Sequence, residues 1–194
     1  LKKLVMDGFA DRGPEFEQSR VVSGVISSEN QKGAAKVVIW ALLGIGLYIA
    51  FRFKTYFSIG AIVAVVHDVI VMLGFVVFFQ RELSILTVTA VLTVLGYSVN
   101  ESIVLFDRIR EHLKAKRVES FKELLVRSVN DVFTRTLIMI SCTLSVVIAL
   151  YFNSMGSLQD FALVLMVGII SGTYSCIYVS AACLLLIHRY RPQN

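Results

Sequence analysis

Glu101 and Asn100 lie inside the stretch from Leu92 to Phe106, which is otherwise apolar enough to cross a membrane. A carboxylate at that depth costs about 3 kcal/mol on insertion scales, and such residues usually mark proton or ion sites that face protein or water. The chemistry expected here is binding and release of a proton or an ion, with Asn100 sharing a hydrogen-bond network. The alternative is a carboxylate near the interface that Arg108 or Arg110 holds.

Arg135 is the expected partner of Glu101. The apolar run after it, residues 137–152, is too short to cross the hydrocarbon core, so completing the span draws Arg135 inside. The two spans run in opposite directions, and each residue lies about one turn from the cytoplasmic boundary. At similar depth an ion pair is possible, and its separation would release or capture a proton. The alternative is that Arg135 snorkels to the headgroups.

His67 and Asp68 form a second polar pair, at the middle of the apolar run 57–79 and deeper than Glu101. They are interpreted either as a second titratable element or as a structural hydrogen bond that locks two helices together. The last apolar run has a polar centre at residues 171–175, and Gly168 and Gly172 have the GxxxG spacing of closely packed helices. A polar path beside the carboxylate is the alternative.

Helices must position these residues, because the chain is far more apolar than a soluble domain. Of its 194 residues 56% are hydrophobic, and the mean hydropathy is +0.74. We predict an all-α membrane protein, a five-helix transmembrane bundle. Its five apolar runs are residues 34–53, 57–79, 84–106, 132–152 and 160–187.

The cations predict the topology of these spans. The net charge of +5 lies mainly in loops, which favours contact with anionic lipid headgroups rather than with nucleic acid. Seven cations fall between the third and fourth runs: Arg108, Arg110, Lys114, Lys116, Arg117, Lys122 and Arg127. This loop, 107–131, and the tail, 188–194, are therefore expected on the cytoplasmic side, with residues 1–33 outside.

Two shorter segments carry their own expectations. The spacing of Ser120 and Glu123 is that of a capping box and predicts an amphipathic helix on the inner membrane surface, or else an ordinary helical hairpin. Residues 1–33 are turn-rich, with a possible strand at 21–26, and are expected to be the remnant of an exported domain. The start at Leu1 suggests a piece of a longer protein.

No phosphate-binding loop, metal-ligand cluster or nucleophile–base motif appears in the sequence. The three cysteines, Cys142, Cys176 and Cys183, show no paired spacing and are interpreted as small packing residues. We therefore expect no enzyme activity, no metal site and no cofactor other than a coupling ion, a proton or sodium.

Three motifs resemble the SecF family of bacterial protein-export subunits, which is related to the resistance-nodulation-division (RND) transporters. They are the run from Phe57 to Gly74 with its His-Asp pair, the block Gly-Tyr-Ser-Val-Asn-Glu followed by Asp-Arg-Ile-Arg-Glu within 95–111, and Thr134-Arg135-Thr136. The resemblance implies spans two to six of a six-span unit that packs beside SecD, or the C-terminal half of a fused SecDF. It further implies the SecYEG channel and a translocating polypeptide as partners.

The resemblance also implies roles for individual residues. The family usually has Asp at the position of Glu101, in a proton-conducting site that includes the arginine found here as Arg135. Glutamate keeps the acid and adds a methylene. The expected function is use of the proton motive force to assist polypeptide translocation across the inner membrane. One alternative is an RND-type proton-coupled exporter of small molecules or lipids, and another is a scaffold with Glu101 and Arg135 as a structural pair.

Overall fold

The computed structural model describes residues 28–53, 55–81, 83–115 and 120–190, and these residues form helices and no strand. The turn and the possible strand expected before residue 28 lie outside this part of the chain. The elements in order are α1 (Ser28–Arg52), α2 (Thr55–Phe78), α3 (Ile85–Lys114), α4 (Phe121–Asn153), α5 (Ser157–Tyr174), the π-helix π1 (Ser175–Ser180) and α6 (Ala181–Tyr190).

Five of the described helical segments are long and apolar enough to cross a membrane, because α5, π1 and α6 follow one another without a break from Ser157 to Arg189. The prediction of an all-α bundle of five membrane-length helices is confirmed. Half of α3 and half of the last span are buried, whereas only 6% of the apolar part of α1 is. α3 and the last span therefore form the centre, and α1 lies at the edge.

An aromatic cluster holds three of these helices together near the α1–α2 turn. Phe57 and Phe106 are fully buried, and their ring centroids lie 5.3 Å apart. Phe53 meets Phe106 edge-on at 5.7 Å. Aromatic pairs at this spacing stabilise a core beyond the area they bury, so the α1–α2 turn is fixed against α3.

The hairpin between α3 and α4 corrects one expectation. The capping box is present: Ser120 Oγ accepts from the Glu123 amide at 3.3 Å, and Glu123 Oε2 accepts from the Ser120 amide at 3.0 Å. The helix that it starts is not a separate surface helix, because α4 continues without a break to Asn153. No proline or glycine interrupts it, and its buried face runs on from Ser128 to Thr136. The ordinary helical hairpin is what the structure has.

Ion pairs join helices at both ends of the bundle. Arg108 Nε donates to Asp131 Oδ2 at 2.8 Å and so ties α3 to α4. At the opposite end Arg81 Nη1 donates to Asp160 Oδ1 at 3.0 Å, which ties the α2–α3 connection to α5. Exposed pairs of this kind contribute little stability individually.

Candidate functional site

Glu101 is buried in the bundle, with 3% of its surface exposed. It lies on α3, on the face that also carries Ser98, Ser102 and Leu105, all of which are buried. Its carboxylate Oε2 accepts a hydrogen bond from Thr136 Oγ1 of α4 at 2.8 Å. The bond places Glu101 at the same depth as residues 135–136, as we predicted from the antiparallel direction of the two spans.

Arg135 is not the residue that meets this carboxylate. Its side chain is exposed, and the ion pairs among the described residues do not include one between Arg135 and Glu101. Successive residues of an α-helix point about 100° apart, so Thr136 turns inward while Arg135 turns outward. Helical periodicity could have identified Thr136, because it continues the buried face of Leu125 and Ser128 at spacings of three and eight.

Asn100 is exposed and takes no part in the contacts of Glu101. It precedes Glu101 by one position, so it points to a different side of α3. The hydrogen-bond network expected between the two residues is therefore not formed. The interfacial alternative fails as well, because Arg108 pairs with Glu111 and Asp131, and Arg110 pairs with Asp107.

Two further hydroxyls on α3 near Glu101 are buried without a well-aligned hydrogen bond in the described structure: Tyr97 Oη, which adjoins Thr143 of α4, and Ser102 Oγ, which adjoins the Cys176 thiol of π1. Tyr97 lies one turn before Glu101, and Ser102 directly follows it. A buried hydroxyl without a partner is costly and rare enough in native proteins to need an explanation. The residues around Glu101 therefore offer more hydrogen-bond donors and acceptors than its described contacts use.

Asp68 has no exposed surface and is the most heavily hydrogen-bonded acid in the described core. Its Oδ2 accepts from Ser98 Oγ of α3 at 2.6 Å and from Ser175 Oγ of π1 at 2.9 Å. Its Oδ1 accepts from Ser171 Oγ of α5 at 3.0 Å. His67 Nδ1 lies 3.3 Å from the same oxygen. The sequence predicted the His67–Asp68 pair and the polar centre at 171–175, but it did not predict that serines from three elements converge on Asp68.

Gly168 and Gly172 allow this convergence. A Cβ on Gly168 would lie 2.5 Å from Val94 Cγ2 and 2.6 Å from Met72 Sδ, which is far inside normal contact. A Cβ on Gly172 would lie 3.4 Å from Ser98 Cβ and 3.6 Å from Asp68 Oδ2. The two glycines therefore lie where α5 packs closely on α3 and α2, the role that GxxxG spacing has in membrane helices.

The π-helix π1 begins at Ser175, one of the three serine donors. Ser180 at its end is also buried, and its hydroxyl donates to the Cys176 carbonyl. π-helical turns are rare and concentrate at functional sites. The irregular turn thus coincides with the buried polar centre of the bundle.

The described residues contain no group of three or more His, Cys, Asp or Glu that could hold a metal ion. What they contain is two buried carboxylates, one among several hydroxyl donors and one with a single donor. Together with the five membrane-length helices, they define a multi-pass helical membrane protein with the kind of intramembrane acid that ion-coupled transport proteins use.

The chain belongs to the family described as protein export membrane protein SecD/SecF, C-terminal, whose model matches residues 5–190. It is 42% identical over 156 residues to the protein translocase subunit SecF of Treponema pallidum, an alignment that covers 80% of this chain and 37% of the relative. It is 38% identical to the SecF subunit of Calditerrivibrio nitroreducens, with 100% of this chain and 66% of the relative covered.

Solved structures agree with this assignment. The crystal structure of SecDF from Thermus thermophilus, a translocon-associated membrane protein, matches with a TM-score of 0.79 at 43% identity, over 84% of this chain and 22% of that one. SecDF in its super-membrane-facing form matches with a TM-score of 0.77 at 38% identity, over 92% of this chain and 26% of that one. The chain thus spans between 37% and 66% of the length of these SecF relatives and about a quarter of SecDF.

Proposed function

We propose that this chain is the C-terminal membrane part of a Sec protein-translocase subunit of the bacterial inner membrane, and that it uses the proton motive force to assist polypeptide export. The observation that carries the proposal is the buried carboxylate of Glu101, which has one hydroxyl donor, Thr136. The relatives that match are named protein translocase subunits, and the solved neighbour is named translocon-associated.

Protonation of Glu101 changes the contact between α3 and α4. The ionised carboxylate accepts from Thr136, whereas the protonated acid can also donate, and it carries no charge to desolvate. The energetic difference between the two states is largest for a buried group. A proton that enters or leaves Glu101 therefore changes which arrangement of these helices is favoured, and the helices would pass that change to the exported part of the protein.

Arg135 has a role in this proposal although its side chain does not pair with Glu101. It is exposed on the outer side of α4, adjacent in sequence to the residue that binds Glu101. An arginine at membrane depth requires a partner or access to water. We infer that SecD, or the SecD half of a fused SecDF, covers this side of α4 and meets Arg135.

The orientation follows from the charges. Residues 107–131 and the C-terminus lie in the cytoplasm, and residues 1–33 lie outside, next to the SecYEG channel and the emerging polypeptide. The chain acts without an enzyme activity of its own, and the proton is its coupling ion. Comparing export with and without sodium at a fixed membrane potential separates proton coupling from sodium coupling.

Polypeptide export by the complete protein tests the proposal. Glu101→Gln keeps an oxygen that accepts from Thr136 but cannot be ionised, and we expect it to abolish the export stimulated by the proton motive force. Arg135→Met should do the same. Glu111→Gln is the matched control, because Glu111 lies on the same helix, is exposed and pairs with Arg108 outside the apolar core. Wild-type export in both Glu101→Gln and Arg135→Met would overturn the proposal. Normal secretion in these variants together with a loss of small-molecule efflux would also overturn it, because it would favour the exporter alternative.

A further inference from the structure

The Asp68 cluster gathers six oxygen atoms in the buried middle of the bundle. They are the two carboxylate oxygens of Asp68, the hydroxyls of Ser98, Ser171 and Ser175, and the backbone carbonyl of Gly172. The hydroxyls lie between 2.6 and 3.0 Å from the carboxylate. All four side chains are buried. Carboxylate, hydroxyl and carbonyl oxygens are the ligands that hard cations prefer in proteins.

The Ser175 hydroxyl joins the carbonyl to the carboxylate. It lies 2.9 Å from Asp68 Oδ2 and 3.0 Å from the Gly172 carbonyl oxygen, but a hydroxyl has only one hydrogen to donate. When Ser175 donates to Asp68, the carbonyl keeps a lone pair that a cation can use. Each serine oxygen also has two lone pairs, so the three serines can bond Asp68 and a cation at the same time.

The charge of Asp68 has no buried counter-charge in the described structure. Three O–H donors suit an ionised carboxylate, which only accepts hydrogen bonds. A charge removed from water is costly unless it is paired. No lysine or arginine is among the buried residues that the structure describes. His67 Nδ1 lies 3.3 Å from Asp68 Oδ1, but the His67 side chain is 34% exposed. A cation held by the cluster oxygens compensates the charge inside the bundle.

The composition of the cluster favours sodium among the hard cations. One carboxylate balances one positive charge, and the other ligands are neutral, which suits a monovalent ion better than calcium or magnesium. The short distances between the oxygens suit a small ion better than potassium. Carbonyls at the ends of interrupted membrane helices coordinate sodium in transporters. Gly172 has such a position, because α5 gives way to π1 after Tyr174.

We propose that Asp68, Ser98, Ser171, Ser175 and the Gly172 carbonyl bind a sodium ion where α2, α3, α5 and π1 meet. The ion neutralises the buried carboxylate and stabilises the contact between these four elements. The proposed function does not depend on this site, since Glu101 supplies none of its ligands. The inference also gives the start of π1 a role, because Ser175 reaches both Asp68 and the Gly172 carbonyl from there.

Thermal unfolding of the complete protein in detergent, titrated with sodium chloride, tests the site. Choline chloride keeps the ionic strength constant, and the pH is fixed. An ion that binds the folded state alone raises the unfolding temperature as its concentration increases. We expect this rise in the wild type with sodium chloride, and a smaller rise when potassium chloride replaces it.

Three variants locate the ion. Asp68→Asn removes the charge, and we expect it to abolish the sodium-dependent rise. Ser175→Ala removes one neutral ligand and should shift the rise to sodium concentrations about tenfold higher or more, because even residues that only support a metal ligand have effects of this size. Asp107→Asn is the matched control, since it removes the same charge from an exposed carboxylate that pairs with Arg52, and it should respond to sodium as the wild type does.

The outcomes separate the sodium site from the proposed function. No rise in the wild type would overturn the site, as would an equal rise in potassium chloride. An unchanged rise in Asp68→Asn or in Ser175→Ala would also overturn it, and Ser175→Ala decides the question if Asp68→Asn does not fold. Glu101→Gln should keep the response to sodium. Normal export in Glu101→Gln and Arg135→Met with a wild-type sodium response would overturn the proposed function and leave the site intact.

Discussion

The two buried acids differ in how their carboxylates are bonded. Asp68 accepts from three serine hydroxyls on α3, α5 and π1 and lies next to His67. Glu101 has a single described donor, Thr136 on α4. Both are almost completely removed from solvent. Burial alone therefore does not distinguish them, whereas the number and origin of their donors does.

The difference suggests a division of tasks. A carboxylate held by several donors from different helices fixes those helices relative to one another, because moving any one of them breaks a buried hydrogen bond. A carboxylate with one donor leaves its surroundings free to rearrange when its charge changes. The Asp68 cluster is the rigid part of the polar interior, and the α3–α4 contact at Glu101 is the part that can respond to a proton.

The largest effect on stability is expected at Asp68. Asp68→Ala leaves three buried serine hydroxyls without their acceptor, and we expect a loss of about 2 kcal/mol, since each hydrogen bond between membrane helices contributes about 0.6 kcal/mol on average. Thermal unfolding of the complete protein in detergent measures it. Asp68→Asn keeps one acceptor oxygen and should lose less. Wild-type stability in Asp68→Ala would show that the serines do not depend on this carboxylate.

The next effect is expected at the helix contact beside the cluster. Gly168→Ala places a methyl group 2.5 Å from Val94 Cγ2, so α5 must move away from α3, at a cost of about 1 to 2 kcal/mol. Gly96→Ala is the control, because a Cβ there meets nothing within 4 Å. Equal unfolding temperatures for the two variants would contradict the close packing.

A smaller effect is expected at Thr136. Thr136→Val keeps the shape of the side chain and removes the described donor to Glu101, and we expect a loss of about 0.6 kcal/mol, the average for a hydrogen bond between membrane helices. The same unfolding measurement applies, with Ser141→Ala as a control on the same helix, because the exposed Ser141 hydroxyl bonds its own backbone. A loss as large as that of Asp68→Ala would remove the contrast between the two regions.

The smallest structural effect is expected for Glu101→Gln. The amide oxygen still accepts from Thr136, and we expect a change in stability of less than about 0.5 kcal/mol together with loss of proton-driven export. Unfolding and export are measured on the same preparation. A variant that lost its fold along with its activity would place Glu101 with Asp68 as a structural acid.

The sequence predicted the fold well because its strongest signals are local. Runs of about 20 apolar residues specify membrane helices with little help from tertiary contacts, and the Ser120–Glu123 capping box marked the start of α4 correctly. The separate surface helix was wrong because the amphipathic pattern of α4 does not end where the span begins. Only the absence of a helix-breaking residue between 121 and 153 indicates that continuity.

The site was predicted in part. Glu101, His67 and Asp68 stood out because ionisable residues are rare in apolar runs. Their partners are serines and threonines, which are common in membrane helices and give no signal by composition. Charge complementarity favoured Arg135 over Thr136, but the direction of a side chain from its helix decides which of two adjacent residues reaches a neighbour. Helical periodicity in the sequence identifies Thr136 as the inward-facing residue. The convergence of Ser98, Ser171 and Ser175 depends on how the helices pack, which the sequence alone does not show.

Infrared difference spectroscopy of the reconstituted complete protein can show whether Glu101 takes up the proton, because it detects the carbonyl band of a protonated carboxylic acid. The spectra are recorded across a pH step in the wild type, in Glu101→Gln and in Glu111→Gln. We expect a protonated-carboxyl band that changes with pH in the wild type and in Glu111→Gln and is absent from Glu101→Gln. The same band, unchanged in Glu101→Gln, would show that another residue takes up the proton.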